Sequence, residues 1–256
     1  VNFPFYAQAP KESVDRCNLC GSSRRHLQNT IDRYGLTAPS VQCEDCGLVY
    51  LSCRMTPTAY RTFYQDGHYR ELLSLFYGRP ITAANIEVDQ ARYALRLERW
   101  LDSYMDKIRG GTMLDLGGST GVVADWLAKA YNLDATVVEP SAGEAGRAHD
   151  KGLAVAQVPL EEYDAGGNHY DLVLLCQTVD HLLDIAGDLA RIRQWVAPGG
   201  LFFVDFVEDG PIKIDHPYYL SRKTMAKYLS QAGLTVKAEE KSEDGLHVNV
   251  LAEVAA

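Results

Sequence analysis

Leu114-Asp115-Leu116-Gly117-Gly118-Ser119-Thr120-Gly121 is the stretch that decides the fold. Met113 to Leu116 has the length and apolar character of a buried strand, and it breaks directly into glycines. Val122 to Tyr131 then reads as a helix. Strand, glycine turn and helix in immediate succession begin a β-α-β unit. Working outward, the alternation repeats. Ala135 to Glu139 is a second strand, Ala142 to Lys151 a helix, and Leu153 to Ala156 a third strand. Tyr170 to Leu175 is the most apolar strand. Leu182 to Val196 is helical and is stopped by Ala197-Pro198-Gly199-Gly200. Leu201 to Phe206 is a fifth strand, and Ser221 to Ala232 is a helix ended by Gly233. Two strands follow, near Leu234 to Glu239 and Leu246 to Glu253. Their link, Glu243-Asp244-Gly245, is too short for a crossover helix and predicts an antiparallel pair. The expected fold is α/β, a doubly wound, mostly parallel sheet of seven strands.

Upstream of that sheet, Glu87 to Ile108 carries apolar residues at helical spacing and ends at Gly110-Gly111. Before it lies an aromatic stretch, Tyr60, Phe63, Tyr64, Tyr69, Phe76 and Tyr77, interleaved with Arg54, Arg61, Arg70 and Arg79. Such density points to packing, and alternatively to a lid over a substrate pocket that includes Arg70.

The six cysteines are not scattered. Cys17-Asn18-Leu19-Cys20 and Cys43-Glu44-Asp45-Cys46 are two matched C-x-x-C pairs, followed by Gly21 and Gly47. Each pair sets two thiolates on one side of a metal, and two such turns complete a tetrahedron around zinc. The glycines permit the tight turns that aim backbone N–H groups at sulfur. The polar spacer between the pairs fits a short hairpin. A zinc ribbon of this size depends on its metal to fold. Four thiolates leave no open position, so the expected role of the zinc is structural. Reduced pairs without metal, or a redox pair, are the competing readings. The chain therefore divides into a ribbon (1–55), a helical, aromatic linker and lid (56–110) and the large sheet domain (111–256).

The formal net charge is −9 and the sequence pI about 5.3, which disfavours long nucleic acid as a partner. No apolar run is long enough to span a bilayer, and Val1 to Pro10 lacks the features of a signal peptide. These observations predict no membrane partner and a cytoplasmic location. Oligomeric state leaves no trace in the sequence.

Ligands in doubly wound sheets bind beyond the carboxyl ends of the strands, beside the first one. There the glycines of the quoted loop let the backbone approach a ligand. Asp115 is placed to meet a cationic or hydroxylated group. Glu139, at the end of the second strand, is placed to accept from both hydroxyls of a ribose. Nicotinamide and S-adenosylmethionine (SAM) sites share this outline. The acid ahead of the glycines favours SAM, whose ammonium it helps hold, as does the terminal antiparallel pair.

Residues 112–253 resemble a class I SAM-dependent methyltransferase. The matching pieces are Leu114 to Gly121, Val138-Glu139-Pro140-Ser141, Tyr170-Asp171-Leu172-Val173 and Val196-Ala197-Pro198-Gly199-Gly200-Leu201. Gly118 departs mildly from the family, which more often has another small residue there. The resemblance implies that Glu139, next to Pro140, holds the ribose. It implies that Val158, Pro159 and Leu160 flank the adenine, and that Gly117 and Gly121 shape the loop beneath the methionine part.

Methyl transfer needs a positioned acceptor and, for a weak nucleophile, a base. His181 follows the fourth strand in Cys176-Gln177-Thr178-Val179-Asp180-His181, a segment expected to border both cofactor and acceptor. His216 follows the fifth strand in Lys213-Ile214-Asp215-His216. Asp215 or Asp180 would raise the basicity of a neighbouring histidine. Each histidine also reads as a capping or packing residue. The fourth strand lacks the Asn/Asp-Pro-Pro-aromatic loop of enzymes that methylate base amines. A ribbon joined to a class I domain is similar to methyltransferases of bacterial sugar and natural-product pathways, nucleotide-sugar C-methyltransferases among them. Those enzymes carry an acid–histidine pair that Asp215-His216 matches. They have a tyrosine shortly before it, where this chain has Lys213, and a further C-terminal domain. C- and O-methyl transfer to a small molecule both stay open. An RNA methyltransferase gripping RNA through Arg24, Arg25 and Arg33, a non-catalytic SAM-fold protein and a nicotinamide oxidoreductase are the alternatives.

Overall fold

The computed structural model describes all residues except Asp209, Asp244, Ala255 and Ala256. Asp244, in the link predicted between the last two strands, lies outside the described residues.

Seven strands form the main sheet: β1 (Thr112–Leu116), β2 (Asp134–Val138), β3 (Ala154–Ala156), β4 (Tyr170–Leu175), β5 (Val196–Val207), β6 (Leu234–Lys241) and β7 (His247–Val254). Their spatial order is β6-β7-β5-β4-β1-β2-β3. β7 lies antiparallel between β5 and β6, and the other pairs are parallel. The sheet is buried on both faces, which is why its strands read as continuous apolar runs. Alternate residues feed opposite cores. Val173, Leu175, Phe202, Val204 and Phe206 pack on one side with the helices Ile185–Trp195 and Arg222–Gln231. Leu172, Leu174, Leu201 and Phe203 pack on the other, with Ala83–Leu101 and Val122–Tyr131.

Three elements differ in extent from the sequence expectation. β5 already pairs at Val196 with Tyr170, slips, and resumes at Leu201 opposite Leu172. Pro198 offers no N–H and Gly199 has φ 78°, so the ladder bulges there. The helix expected from Leu182 starts at Ile185, because the Asp184 carboxylate accepts from the Gly187 N–H at 3.1 Å and caps it. The helix expected from Glu87 starts at Ala83 under a Thr82/Asn85 capping box and becomes a 3-10 turn after Leu101.

The cysteine module forms the predicted hairpin, Arg25–Ile31 with Thr37–Cys43, followed by Val49–Leu51. Its fourth strand comes from far along the chain. Tyr218–Tyr219, after β5, pairs antiparallel with Tyr50 and Val49. Leu19, Val41, Leu48 and Tyr50 share one core with β4, β5 and their helices. Asn18, between the first two cysteines, donates to Asp184 (2.8 Å) and accepts from Tyr228 (2.9 Å). The aromatic stretch packs as well. Tyr60 and Phe63 are buried with Phe3, Tyr6, Tyr34, Met55 and Ile214. No helix among the described residues is long and apolar enough to cross a membrane.

Candidate cofactor and acceptor site

At the carboxyl end of β1 the chain turns through Gly117 (φ 72°) and Ser119 (φ 50°) to Gly121 (φ 74°), where a helix begins. The glycines are required. A Cβ on Gly117 would stand 2.8 Å from the Thr178 side chain, and one on Gly121 2.7 Å from Leu153. On Gly118 it would meet the Asp115 carboxylate at 2.7 Å. Asp115 is 1% exposed, and neither of its carboxylate oxygens has a hydrogen-bond partner. Burial, with the nearby Glu139 charge, raises its pKa to about 7. An orphaned buried acid of this kind is the partner a ligand ammonium needs.

Glu139 ends β2 and is 7% exposed. Its carboxylate accepts from the backbone N–H groups of Ser119 (3.0 Å) and Ser141 (2.8 Å). Burial raises its pKa, against those two donors and the Arg70 charge. Each oxygen keeps a second lone pair for a ribose hydroxyl. Pro140 is partly buried beside it. The Glu139 N–H donates to the Ala156 carbonyl at 3.1 Å, which sets Val158, Pro159 and buried Leu160 just beyond the same strand ends. These residues fit SAM: an unpaired acid, a glycine cradle and a carboxylate with spare acceptor capacity.

The linker lies over this loop. Arg70 donates to Glu144, which also accepts from Ser119 Oγ at 2.7 Å. Thr120 Oγ1 donates to Gln90 at 2.8 Å. Glu87 binds Arg147 and Lys151. The segment thus packs both in its own aromatic core and against the glycine loop. Sequence spacing gave no signal for Glu144 or Gln90, because their partners lie on other elements.

β4 ends at Leu175 and leads through Cys176 into Gln177, held in the left-handed region (φ 50°) with its N–H on Asp205 at 2.6 Å. A non-glycine residue there is backbone strain at the head of a site. The strained turn brings Thr178 against Gly117 and aims Asp180 and His181 at the loop after β5. There the two candidate histidines meet, with rings 4.4 Å apart, edge to face. His216 Nδ1 lies 2.6 Å from Asp180 Oδ2. His216 Nε2 faces Lys213 Nζ at 2.9 Å and Asp215 Oδ2 at 3.4 Å. His181 Nδ1 is 2.7 Å from the Tyr64 hydroxyl.

Electrostatics separate the two rings. Burial and the neighbouring His216 charge lower His181 to a pKa of about 4, so it is neutral and weakly basic at pH 7. Burial works against ionisation of Asp180, but the interaction with His216, coulombic and through the hydrogen bond, outweighs it and holds the carboxyl well below its usual range. Asp215, 0% exposed, is held low in the same way by His216, Lys213 and His181. Asp180 thus makes the close contact to His216, and Asp215 the longer one. Lys213, noted in the sequence only as a departure, belongs to the cluster.

Cys17 and Cys46 Sγ are 3.4 Å apart, and Cys20 and Cys43 Sγ 3.5 Å. All four sulfurs lie within 4.8 Å of one another. A zinc tetrathiolate with bonds of about 2.3 Å has sulfur–sulfur edges of about 3.8 Å, so the four fit that metal. Of the ribbon arginines Arg24, Arg25 and Arg33, the first two are paired with acids, and Arg33 is in no ion pair among the described residues. Arg24 pairs with Glu44 and Asp45, and Arg25 with Asp15.

Comparison with known proteins gives consistent results. The ubiquinone biosynthesis O-methyltransferase of Acinetobacter baylyi is 27% identical over 186 residues, 61% of this chain and 75% of that protein. A protein of the same name from a Methylobacterium species is 32% identical over 104 residues, 38% of this chain and 41% of its own. The expectation of a sugar acceptor receives no support from these relatives. Among solved structures, the complex of the Haloferax volcanii Trm112 methyltransferase activator and a putative methyltransferase matches with TM-score 0.58 and 13% identity, over 68% of this chain and 96% of that one. A SAM-dependent methyltransferase from Clostridium acetobutylicum matches at 0.53 and 13%, over 64% and 91%. At such identities these two show the Rossmann-like methyltransferase fold alone. A family model described as a methyltransferase domain matches residues 88–239, more than half of the sequence, and the chain belongs to that family.

Proposed function

We propose that the protein is a SAM-dependent O-methyltransferase acting on a hydroxyl of a small molecule, with His216 as general base. The observation that carries the reading is the 2.6 Å contact between Asp180 and His216 Nδ1, at the mouth of the strand ends that carry Asp115 and Glu139. O-transfer, rather than C-transfer, is favoured by the relatives' names.

SAM, when bound, supplies an electrophilic methyl on a sulfonium. Asp115 meets its ammonium, Glu139 its ribose, and Val158 to Leu160 its adenine. Asp180 fixes the tautomer of His216 with the proton on Nδ1, so Nε2 is left as the acceptor of a proton. Lys213 donates to Nε2 when no acceptor is present. With a hydroxyl in place, the ammonium shifts its donation to the acceptor oxygen and lowers that hydroxyl's pKa. The hydroxyl proton would pass to Nε2 of His216, leaving the acceptor oxygen free to take the methyl that SAM would supply. His181 is neutral and shapes the wall beside His216. Zinc on Cys17, Cys20, Cys43 and Cys46 is structural, and the acid partners of Arg24 and Arg25, with the net charge of −9, favour a small acceptor over RNA.

The test is transfer of label from methyl-labelled SAM to a panel of hydroxylated small molecules, with the product gaining one CH₂ in mass. His216→Ala is expected to cut turnover at least about 100-fold with SAM affinity kept, the size of a lost general base. Near-normal turnover removes His216 from the mechanism. His181→Ala, run beside it, is expected to lose far less.

A further inference from the structure

A small, open-mouthed cleft of about 70 Å³ lies beside His216. It is lined by Val207 at the end of β5, by Gly210, Pro211 and Lys213 after it, and by Asp180 and Tyr218. Arg33, which belongs to the hairpin turn of the cysteine module, lines it as well.

Arg33 is held there by the backbone. Its neighbour Asp32 is buried, and one carboxylate oxygen accepts from the N–H groups of Tyr34 and Leu36, both at 2.9 Å. The other oxygen accepts from the N–H of Ile214 at 3.0 Å, two residues before His216. The Arg33 N–H donates to the carbonyl of Ile212 at 3.1 Å. The ribbon turn is thereby clamped to the loop that presents Lys213 and His216. The guanidinium rests over the ring of Phe76, 5.3 Å from its centroid. Arg24 and Arg25 are paired with acids, but none of the ion pairs among the described residues includes Arg33. Lys213 is engaged with Asp215 and His216, and Asp180 with His216, so Arg33 is the lining cation that has no acid beside it among the described ion pairs.

We infer that this cleft takes an acceptor carrying an anionic group, a carboxylate or a phosphate, beside the hydroxyl to be methylated, and that Arg33 holds that anion. The inference rests on the placement of the acceptor next to His216. It makes the ribbon part of the acceptor site. A planar guanidinium stacked on an aromatic ring and lacking a carboxylate partner is a preorganised, bidentate receptor for such a group.

The experiment is calorimetric binding to the zinc-loaded protein saturated with S-adenosylhomocysteine, so the readout does not depend on turnover. Probes come in matched pairs: hydroxybenzoates against their methyl esters, and hexose phosphates against free hexoses. The expected result is at least tenfold tighter binding of the anionic member of one pair. Which pair shows it separates carboxylate from phosphate. Arg33→Ala and Arg33→Gln abolish the preference with S-adenosylhomocysteine affinity unchanged, and Arg33→Lys restores part of it. Equal binding of both members, no binding of either anion, or an anion preference that survives Arg33→Ala overturns the proposal. An Arg33-dependent preference with normal turnover in His216→Ala supports the cleft and sinks the His216 mechanism, so the two readings fail separately.

Discussion

Asp180 Oδ2 and His216 Nδ1 are 2.6 Å apart, although the residues come from loops after different strands. The contact favours a proton on Nδ1, whatever Nε2 carries. Asp180→Asn keeps the shape but allows the other tautomer, in which Nε2 carries the proton and accepts nothing. Turnover is expected to fall about 100-fold or more, with SAM affinity within about twofold of wild type, a loss of the size seen for impaired acid–base groups. Asp215→Asn, which alters the longer contact, is expected to cost less. The reverse ranking of the two variants in steady-state rates would move the orienting role to Asp215.

Acid should remove one stabilising contribution at the histidine pair. The folded pKa of His181 is lowered to about 4 from an unfolded value near 6.5. A group lowered in the folded state stabilises fully above its unfolded pKa and loses that contribution as pH falls through the folded one. The window is therefore roughly pH 6.5 down to about 4. Asp180, also lowered, adds its loss below the ordinary carboxylate range. Asp115 and Asp205, both raised to about 7, act in the opposite sense over the same range, so the readout is a difference: the urea midpoint of the wild type should fall relative to that of His181→Gln across this window. Parallel curves for the two proteins would show that His181 is not buried neutral.

Cofactor binding should release a proton near neutrality. Asp115 has a pKa of about 7 in the free protein, and an ammonium placed beside it must lower that value. Below pH 7 the carboxyl has to lose its proton before it pairs, so SAM affinity rises with pH up to about 7 and then levels. Calorimetry in buffers of different ionisation enthalpy counts the proton directly. Asp115→Asn should weaken binding and remove the pH dependence. A slope retained in that variant would assign the titration elsewhere.

Zinc removal should do more than unfold a small appendage. Leu19, Val41, Leu48 and Tyr50 share their core with β4, β5 and two helices of the main domain. One zinc per chain is expected by elemental analysis. Chelation, or Cys43→Ser, should lower the melting temperature of the whole protein and expose apolar surface to a hydrophobic dye. A metal-free protein with unchanged melting would make the four thiols incidental.

The main sheet was legible because both its faces are buried and each strand is punctuated by glycine or proline, as at Gly117, Gly200 and Gly233. The cysteine cluster was legible because two C-x-x-C turns with trailing glycines have few other uses. Both histidines were found from their places after strands, yet not their relation to each other. His216 contacts Asp180, which lies 36 positions earlier, and Lys213, which looked like a departure from a pattern. Tyr218–Tyr219 carried no strand signal, since two residues have no period to read. Arg33 looked like one basic residue of three until Asp32 fixed it against Ile214.

The fourth strand of the ribbon sheet also has a consequence for how the chain is made. Leu51 leaves the ribosome long before Tyr218, and at roughly 5–20 residues per second the interval is on the order of ten to thirty seconds. Throughout it the nascent module exposes the strand Val49–Leu51 as an unpaired edge, with hydrogen-bonding groups that another nascent chain can occupy. The thiols must meanwhile find their metal on a scaffold that is not yet complete. Slow elongation, or zinc scarcity, over this stretch should therefore appear as aggregation during synthesis, not as a stable, inactive product.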